Sequence, residues 1–522
     1  MSRARDLADS ADKDITGTLT VDGLTVAGNV SVDSGTIKLD GNYPVGTGNV
    51  ALGDTALSSG SLSGGNNTAI GSNSLTANTQ GYNNTANGVN ALGLNTTGNL
   101  NVAIGDSALY YNTTGGSAVA LGRQALYSNT TASNNTAVGY QAGYNNTVGT
   151  NNAFFSYRAG FYTTSGYSNV GVGHNSLFQN TTGAENVAIG QEALRSNTTS
   201  NGTVAVGYRA LYNSTTASGT VAVGYAASVT NTTGDNNTSV GYLASYSGTT
   251  ATENVSVGYN ALYDVTTGSY NTAVGSNAGQ NITTGERNTY VGRVAGDATT
   301  TGLYNTGIGY GALLSNSTGS YNTIVGNQAG HFVTSSYNTL IGRDAGFWIT
   351  TGVSNTVLGR FNGNQNGLDI RTTHNNIVLS DGSGNPRIQV DSNGAFKVPY
   401  VYGDTSGSAA NVHIGTDGRF YRSTSSRRYK NTITDATNGL TELLSLRPVT
   451  YKGNNNGDTI FGGLIAEEVH DAGLTEFVQY NENGEPDALA YGNMVSLCIK
   501  AIQEQQATIT ALTARIEALE TN

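Results

Sequence analysis

Asn101-Val102-Ala103-Ile104-Gly105-Asp106-Ser107-Ala108-Leu109-Tyr110-Tyr111-Asn112-Thr113-Thr114-Gly115 decides the fold, because the chain repeats this pattern at a nearly fixed period. The glycine closing the Val-Ala-Ile triplet recurs at 53, 71, 88, 105, 122 and 139. It continues at 173, 190, 207, 224, 241, 258, 275, 292, 309, 326, 342 and 359, and Ser156 holds the register in place of a glycine. These 19 units are spaced by 17 residues, with one spacing of 18 and one of 16. Such a period marks a solenoid or fibre, in which each unit buries its apolar face only against its neighbours.

Within one unit, Val102 and Ile104 alternate with Ala103, the period-2 pattern of a short strand. Gly105 ends the strand and supplies the positive φ of a tight turn. A second short strand is expected over residues 108–113, with Gly115 turning the chain toward the next Asn. Two strands and two turns per unit make one rung of a parallel β-roll. Small Ala at the third position after the glycine lets rungs stack closely, and the recurring Asn can form hydrogen-bonded ladders. At about 4.8 Å per rung, the 19 rungs span roughly 90 Å.

Two aromatic columns share the same period. One comes directly after the glycine: Tyr140, Tyr157, Tyr208, Tyr225, Tyr242, Tyr259 and Tyr310. The other lies five positions after it: Tyr110, Tyr127, Tyr144, Phe161, Phe178, Tyr212, Tyr246, Tyr263 and Phe347. Exposed rows of this kind can stack on sugar rings. Their regularity favours a structural role, as ladders that stiffen the roll or pack between chains. A receptor site usually breaks such register; residues 150–165 and 360–424 break it most visibly, and the segment 361–424 is the candidate for receptor contact.

Composition changes sharply at Ser425. The 98 residues from Ser425 to Asn522 hold 7 Lys/Arg and 13 Asp/Glu, which is 20 of the 59 charged residues in the chain. Ser425-Ser426-Arg427-Arg428-Tyr429-Lys430 opens this part. A serine hydroxyl becomes a nucleophile when a base takes its proton, and a desolvated lysine can be that base. Ser425 and Lys430 can meet across a turn, although the same spacing also fits an ordinary solvated basic turn. Further on, Val495, Cys498, Ile502, Gln505, Ile509, Leu512, Ile516 and Leu519 alternate between a and d heptad positions. They read as a short coiled coil, for which the pattern favours three strands slightly over two or four. The other reading is an amphipathic helix packed on its own domain.

The residues 425–433 resemble the opening of the C-terminal intramolecular chaperone, or auto-processing, domain of phage tail fibres and endosialidase-type tailspikes. Leu443-Leu444-Ser445-Leu446-Arg447-Pro448-Val449-Thr450-Tyr451, Gly463-Leu464-Ile465-Ala466-Glu467-Glu468-Val469 and a final helix with Ala501-Ile502-Gln503-Glu504-Gln505-Gln506 come after it in the family's order. The repeat body also resembles the heads of trimeric autotransporter adhesins, whose repeat is shorter. The chaperone resemblance implies self-cleavage between Thr424 and Ser425, with Ser425 as nucleophile, Lys430 as proton relay and Ser426 in a supporting place. Ser426 departs from the Asp or Asn often found there, and a hydroxyl orients its neighbours less well, so slower cleavage is expected.

Together these readings lead to the expectation of a homotrimeric phage tail fibre, mainly β, built as a parallel β-roll and ending in an α+β chaperone domain with a coiled-coil helix. Separate β-rolls side by side are expected; an interwoven triple β-helix fits the same repeat. The expected segments are 1–14 for virion attachment, 15–48 as a stranded stalk, 49–360 as the shaft, 361–424 as the distal tip and 425–522 as the chaperone. The expected partners are two further copies, a tail or baseplate adaptor at the N-terminus, and a host surface glycan or protein. A net charge of −11 and the lack of a basic patch argue against nucleic acid. Five His without ligand spacing argue against a metal, and no cofactor is expected. The sequence carries no signal-peptide or membrane-span pattern, so the chain is expected to be made in the host cytoplasm and to function in the virion. A tailspike depolymerase would need paired carboxylates at recurrent positions, which the repeats lack. A purely structural fibre without receptor binding is the nearer alternative.

Overall fold

Each of the 19 repeats contributes a three-residue strand, from Val50–Leu52 to Thr356–Leu358. Successive strands stack parallel and in register, so that Val102, Ala103 and Ile104 lie on Val119, Ala120 and Leu121. All of this pairing runs between consecutive repeats of one chain, as in a β-solenoid rather than an interwoven triple β-helix. The structure is a computed structural model and describes residues 47–398, 412–414, 420–422, 430–453, 458–481 and 483–521. The segments read as attachment region and stalk lie outside these residues, apart from Thr47 and Gly48.

The second strand expected in each rung does not form. Residues 106–111 are a run of turns in which Ser107 and Leu109 take φ of 57° and 53°. The reason lies in the core. Ala108 and Leu109 are adjacent in sequence and both fully buried. A strand sends neighbouring side chains to opposite faces, so only a turned backbone can point both inward. A left-handed Leu is uncommon, yet Leu92, Leu126, Leu177 and Leu194 repeat it at 50°, 51°, 51° and 50°. Hydrogen bonds to the next rung hold it there. The Leu109 N–H donates to the Ala125 carbonyl and the Tyr111 N–H to the Tyr127 carbonyl, both at 3.0 Å.

The glycine column is required on two counts. Gly105 has φ 133°, a region open essentially to glycine alone. A Cβ on it would also sit 2.6 Å from the backbone C and O of Gly122 on the next rung. Ser156 is the exception, holding φ 110° with a side chain.

Two ladders of Asn run inside the solenoid. Asn84 Nδ2 donates to the Gly98 carbonyl at 2.9 Å, while its Oδ1 accepts the Asn101 N–H at 3.0 Å. In the second ladder Asn112 Nδ2 donates to Asn95 Oδ1 and Asn129 Nδ2 to Asn112 Oδ1, each at 2.8 Å. The same amides donate to turn carbonyls, Asn112 Nδ2 to that of Gly115 at 2.9 Å, inside the solenoid, where each unpaired group would cost about 1–3 kcal/mol.

Residues 150–165, expected to break the register, keep it: Ala153–Phe155 pairs in line with the strands on either side. What changes there is volume. Phe154 replaces the strand-centre Ala and is fully buried. Gly160 replaces the turn Leu, and a Cβ on it would lie 2.4 Å from the Phe154 ring. Gly143 and Gly171 open space on the rungs before and after, at 3.0 and 3.2 Å. The same exchange recurs at Tyr290, surrounded by Gly279, Gly296 and Gly307. Tyr290 caps its hydroxyl on Thr299 Oγ1 at 2.9 Å, and burial raises its phenol. Between the two apolar core segments, Ser228, Ser239, Ser245 and Ser256 form a buried hydroxyl cluster with contacts of 2.7 to 3.1 Å.

Past Gly359 the parallel sheet gains one more strand, Ile377–Ser380, then turns antiparallel through Pro386–Val390 and Phe396–Lys397. Two Asx-type turns drive the reversal. Asp381 accepts the Ser383 and Asn385 N–H groups at 2.9 Å each, and Asp391 accepts those of Asn393 and Ala395 at 3.0 Å each. Hydrogen bonds from Asn385 and then Arg387 hold the Asp381 carboxyl well below the usual carboxylate range.

The chain divides into two compact units, Met1–Tyr402 and Gly403–Asn522. The second is a small α/β unit. It holds the antiparallel pairs Val412–Ile414 with Phe420–Arg422, Val449–Lys452 with Ile460–Gly463, and Val478–Tyr480 with Pro486–Leu489. Its helices are α1 (Leu440–Ser445), α2 (Ala466–Asp471) and α3 (Tyr491–Glu520). Val469, Leu474, Phe477, Val478, Met494 and Leu497 form its core.

The exchange of volume predicts a coupled pair. Phe154→Ala should lower the melting temperature by an amount equivalent to about 3–5 kcal/mol, and Gly160→Leu should also destabilise through the clash. Phe154→Ala combined with Gly160→Leu recreates the ordinary rung. It should melt above either single variant, with a coupling of about 1–3 kcal/mol. Independently, Ser156→Gly should raise the melting temperature, because it relieves backbone strain of about 1–3 kcal/mol.

Candidate functional site

The outer face of the shaft is set by the strand period. With Ala103 turned inward, Ile104 and its equivalents turn out, and they stack into a mostly aliphatic row along the sheet, broken by Asn87 and with Phe155 in one rung. Leu52, Ile70, Leu121, Ile189, Ile308, Ile341 and Leu358 are all exposed in it. Soluble chains rarely leave so long an apolar strip in water.

The aromatic columns stack as expected. Ring centroids of Tyr208, Tyr225, Tyr242 and Tyr259 lie 5.1, 5.1 and 5.5 Å apart with near-parallel planes. Tyr110, Tyr127, Tyr144, Phe161 and Phe178 repeat this at 5.6, 5.0, 5.1 and 5.4 Å. Burial, and after it the neighbouring Tyr111, pushes the Tyr127 phenol up to about 12. The sequence reading missed a third column, in which Arg287 lies over Tyr270 and Tyr304 at 5.1 and 5.4 Å and Tyr321 and Tyr337 continue the stack. Its signal is confined to a few units: Tyr270, Tyr304, Tyr321 and Tyr337 each come just before the Asn of their repeat. An interior ring of such a stack has both faces taken by its neighbours, leaving only edges for anything else.

In the C-terminal unit, the motifs that were separate in sequence meet in space. Leu443, Leu446 and Leu464 pack against Met494 and Leu497 of α3. Arg447 Nε donates to Glu468 Oε2 at 3.2 Å, joining the segment before the strand Val449–Lys452 to α2. The Tyr491 hydroxyl accepts the Leu464 N–H at 2.7 Å and donates to the Leu464 carbonyl at 3.2 Å, tying the start of α3 to the segment that enters α2. His470 Nδ1 and the Tyr480 hydroxyl lie 2.9 Å apart in the same unit.

Thr424, Ser425 and Ser426 lie outside the described residues. Lys430 is described and exposed, and residues 431–437 after it are exposed as well. Asp435 and Ala436 share a depression of about 400 Å³ with Ser496, Ile499, Lys500 and Gln503 of α3. The chain leading from Lys430 therefore runs along that helix. It is anchored where α1 begins. The Leu440 N–H donates to Glu504 Oε2 at 2.8 Å, and the Gly439 N–H to Glu442 Oε2 at 2.7 Å, which lowers the Glu442 carboxyl. A Cβ on Gly439 would fall 2.2 Å from the Glu504 carboxylate, so a larger residue there would displace that side chain.

Helix α3 has two working faces. Met494, Leu497 and Ala501 are buried on the core of their own unit. A quarter-turn away, Val495, Ile502, Ile509, Leu512, Ile516 and Leu519 form the a and d seam and are exposed by 49 to 71 %. Over its 30 residues the helix is about 45 Å long, and no described residue beyond Ala501 on it is buried. The packing of Met494, Leu497 and Ala501 matches the reading of a helix packed on its own domain, while the heptad positions face solvent in the single chain. An apolar groove of about 440 Å³ lined by Leu443, Leu446, Pro448, Leu464 and Met494 opens directly beside Val495 and Cys498. Among the described residues there is no group of three or more His, Cys, Asp or Glu that could hold a metal ion, and no helix is long and apolar enough to cross a membrane.

No curated protein and no solved structure matches the chain. Residues 425–479 match the sequence family described as chaperone of endosialidase, so that this stretch, beginning at Ser425, carries a domain of that kind after a β-solenoid body.

Proposed function

We propose that the protein is a homotrimeric phage tail fibre that attaches the virion to the host surface, assembled by a C-terminal chaperone that then cuts itself off before Ser425. The observation that carries this reading is the exposed heptad seam of α3 on a chaperone-of-endosialidase domain. Burying that seam takes other copies of the helix. Val or Ile at the a positions with Leu at two d positions does not by itself select three strands, so the trimer rests on the resemblance of the chaperone domain to those of phage fibres, and the polar Gln505 would fix the register. The aliphatic row on the shaft gives three solenoids a matching surface to close against one another.

Cleavage is coupled to this assembly. Ser425 Oγ attacks the Thr424 carbonyl carbon while Lys430 Nζ takes the hydroxyl proton. The tetrahedral intermediate expels the Ser425 amine, which recovers a proton, and leaves an ester between the Thr424 acyl group and Ser425 Oγ. Water then hydrolyses the ester, giving a Thr424 carboxylate and a free Ser425. A lysine acts as a base once it is desolvated, and the scissile bond must be held in attack geometry. Lys430 is exposed in the single chain, so neighbouring chains at α3 are what would cover it. The step turns over once per chain.

Wild-type protein should resolve by intact-mass spectrometry into fragments of 424 and 98 residues, and Ser425→Ala should remain a single full-length chain. An uncut wild-type trimer would mean that the domain is a permanent chaperone. Replacing Ile502 and Ile509 together by Asp should abolish the trimer in light scattering and, with it, cleavage, although Ser425 and Lys430 are untouched. Cleavage by a monomeric variant of this kind would disprove the coupling.

A further inference from the structure

The aromatic columns of the shaft end differently at the distal rungs, and the difference has chemical content. Trp348 is the lone tryptophan of the chain and is 47 % exposed. One face of its indole stacks on Phe332 at 5.0 Å, and its edge meets Phe347 at 4.8 Å. Among the described residues no ring covers the other face. The next rung does not supply one, because the repeat is interrupted there by the hairpin Asn364–Gln365 with Leu368–Asp369. The chain entering that hairpin approaches from the side: the Asn362 carbonyl accepts the Trp348 backbone N–H at 2.8 Å.

Beside this free ring lies a cleft of about 260 Å³ lined by Gln328, Arg343, Asp344, Phe347, Trp348 and Asn362. Its carboxylate is held in place, since Asp344 Oδ2 accepts from Arg360 Nε at 3.3 Å and forms an ion pair with Arg343 Nε at 3.3 Å. An aromatic platform with a free face, next to an oriented carboxylate, a guanidinium and two amides, matches a pyranose. The C–H face of the sugar lies on the indole, and vicinal hydroxyls pair with the planar polar groups. The volume is below the roughly 300–1,000 Å³ of drug-sized pockets, which suits a single sugar ring.

We infer that the Trp348 cleft is a subsite for one pyranose ring of a host-surface glycan. This deepens the attachment reading and rests on it for its biological role. The interior tyrosines of the columns take no part, because their faces are occupied by each other.

The lone Trp348 makes its own reporter. Full-length protein is titrated with methyl glucopyranoside, methyl galactopyranoside, methyl mannopyranoside and N-acetylglucosamine while indole fluorescence is monitored; binding of whole host cells is measured in parallel. A saturable change is expected with at least one of these sugars, with a dissociation constant on the order of 1 mM. Asp344→Asn and Asn362→Ala should each weaken it at least tenfold with the melting temperature unchanged; Asn tolerates the φ of 56° found at Asp344. No response to any of the four sugars, with cell binding intact, overturns the subsite and leaves the attachment reading standing. A response that both variants keep also overturns it, as unspecific stacking. A response lost in the variants, with no cell binding by wild type, supports the subsite and contradicts attachment.

Discussion

The close approach of one backbone to the next at the glycine column sets everything else in the shaft. A side chain at Gly105 would collide with Gly122, so successive rungs lie at strand spacing where the period returns a glycine to that place, with Ser156 the exception that carries a side chain there. Once it does, every other position is also returned in register. Asn lies over Asn and satisfies the inward carbonyls, Ala and Leu fill a narrow core, and tyrosines stack at about 5 Å. The same repetition lines up Ile104 and its equivalents on the outside. A device that solves the stacking of one chain thus produces, without further design, an apolar strip along its length.

That strip and the seam of α3 pose the same problem at two scales. In each, apolar side chains at regular spacing remain in water in a single chain. The chaperone unit is well placed to resolve the helix first: its own core holds only Met494, Leu497 and Ala501 of α3 and leaves the a and d positions free. Long shafts of identical rungs can pair out of register, since a shift by one unit costs little in local contacts. A coiled coil that aligned three chains before the rungs met, as proposed, would remove that ambiguity.

Much of this was legible in the sequence, because repetition amplifies weak local signals. The 17-residue period, the inward Ala, the Asn ladders and the a and d seam could all be read from spacing. The turned segment at Ala108 and Leu109 was not, because its amphipathic spacing imitates a strand and only the burial of two neighbours reveals the left-handed backbone. Residues 150–165 looked like a break because Phe154 and Ser156 depart from the repeat. Comparing rungs position by position would have shown Gly160 answering Phe154 as Gly296 answers Tyr290. The platform at Trp348 depends on where the stack ends, which a hairpin at residues 364–369 decides and no spacing rule foretells. Around Ser425 and Lys430, residue identity suggested chemistry, while Lys430 in one chain is exposed.

The measurement that tests the coupling of assembly to cleavage most directly is the concentration dependence of processing. Full-length chains unfolded in denaturant are diluted into native buffer over a thousandfold range of final concentration, and the 424-residue product is tracked by mass spectrometry over time. A site completed between chains predicts an initial rate that rises steeply, faster than in proportion to chain concentration, and that vanishes at high dilution. Equal fractional cleavage rates at every dilution would mean that one chain completes the site alone, and would contradict the account.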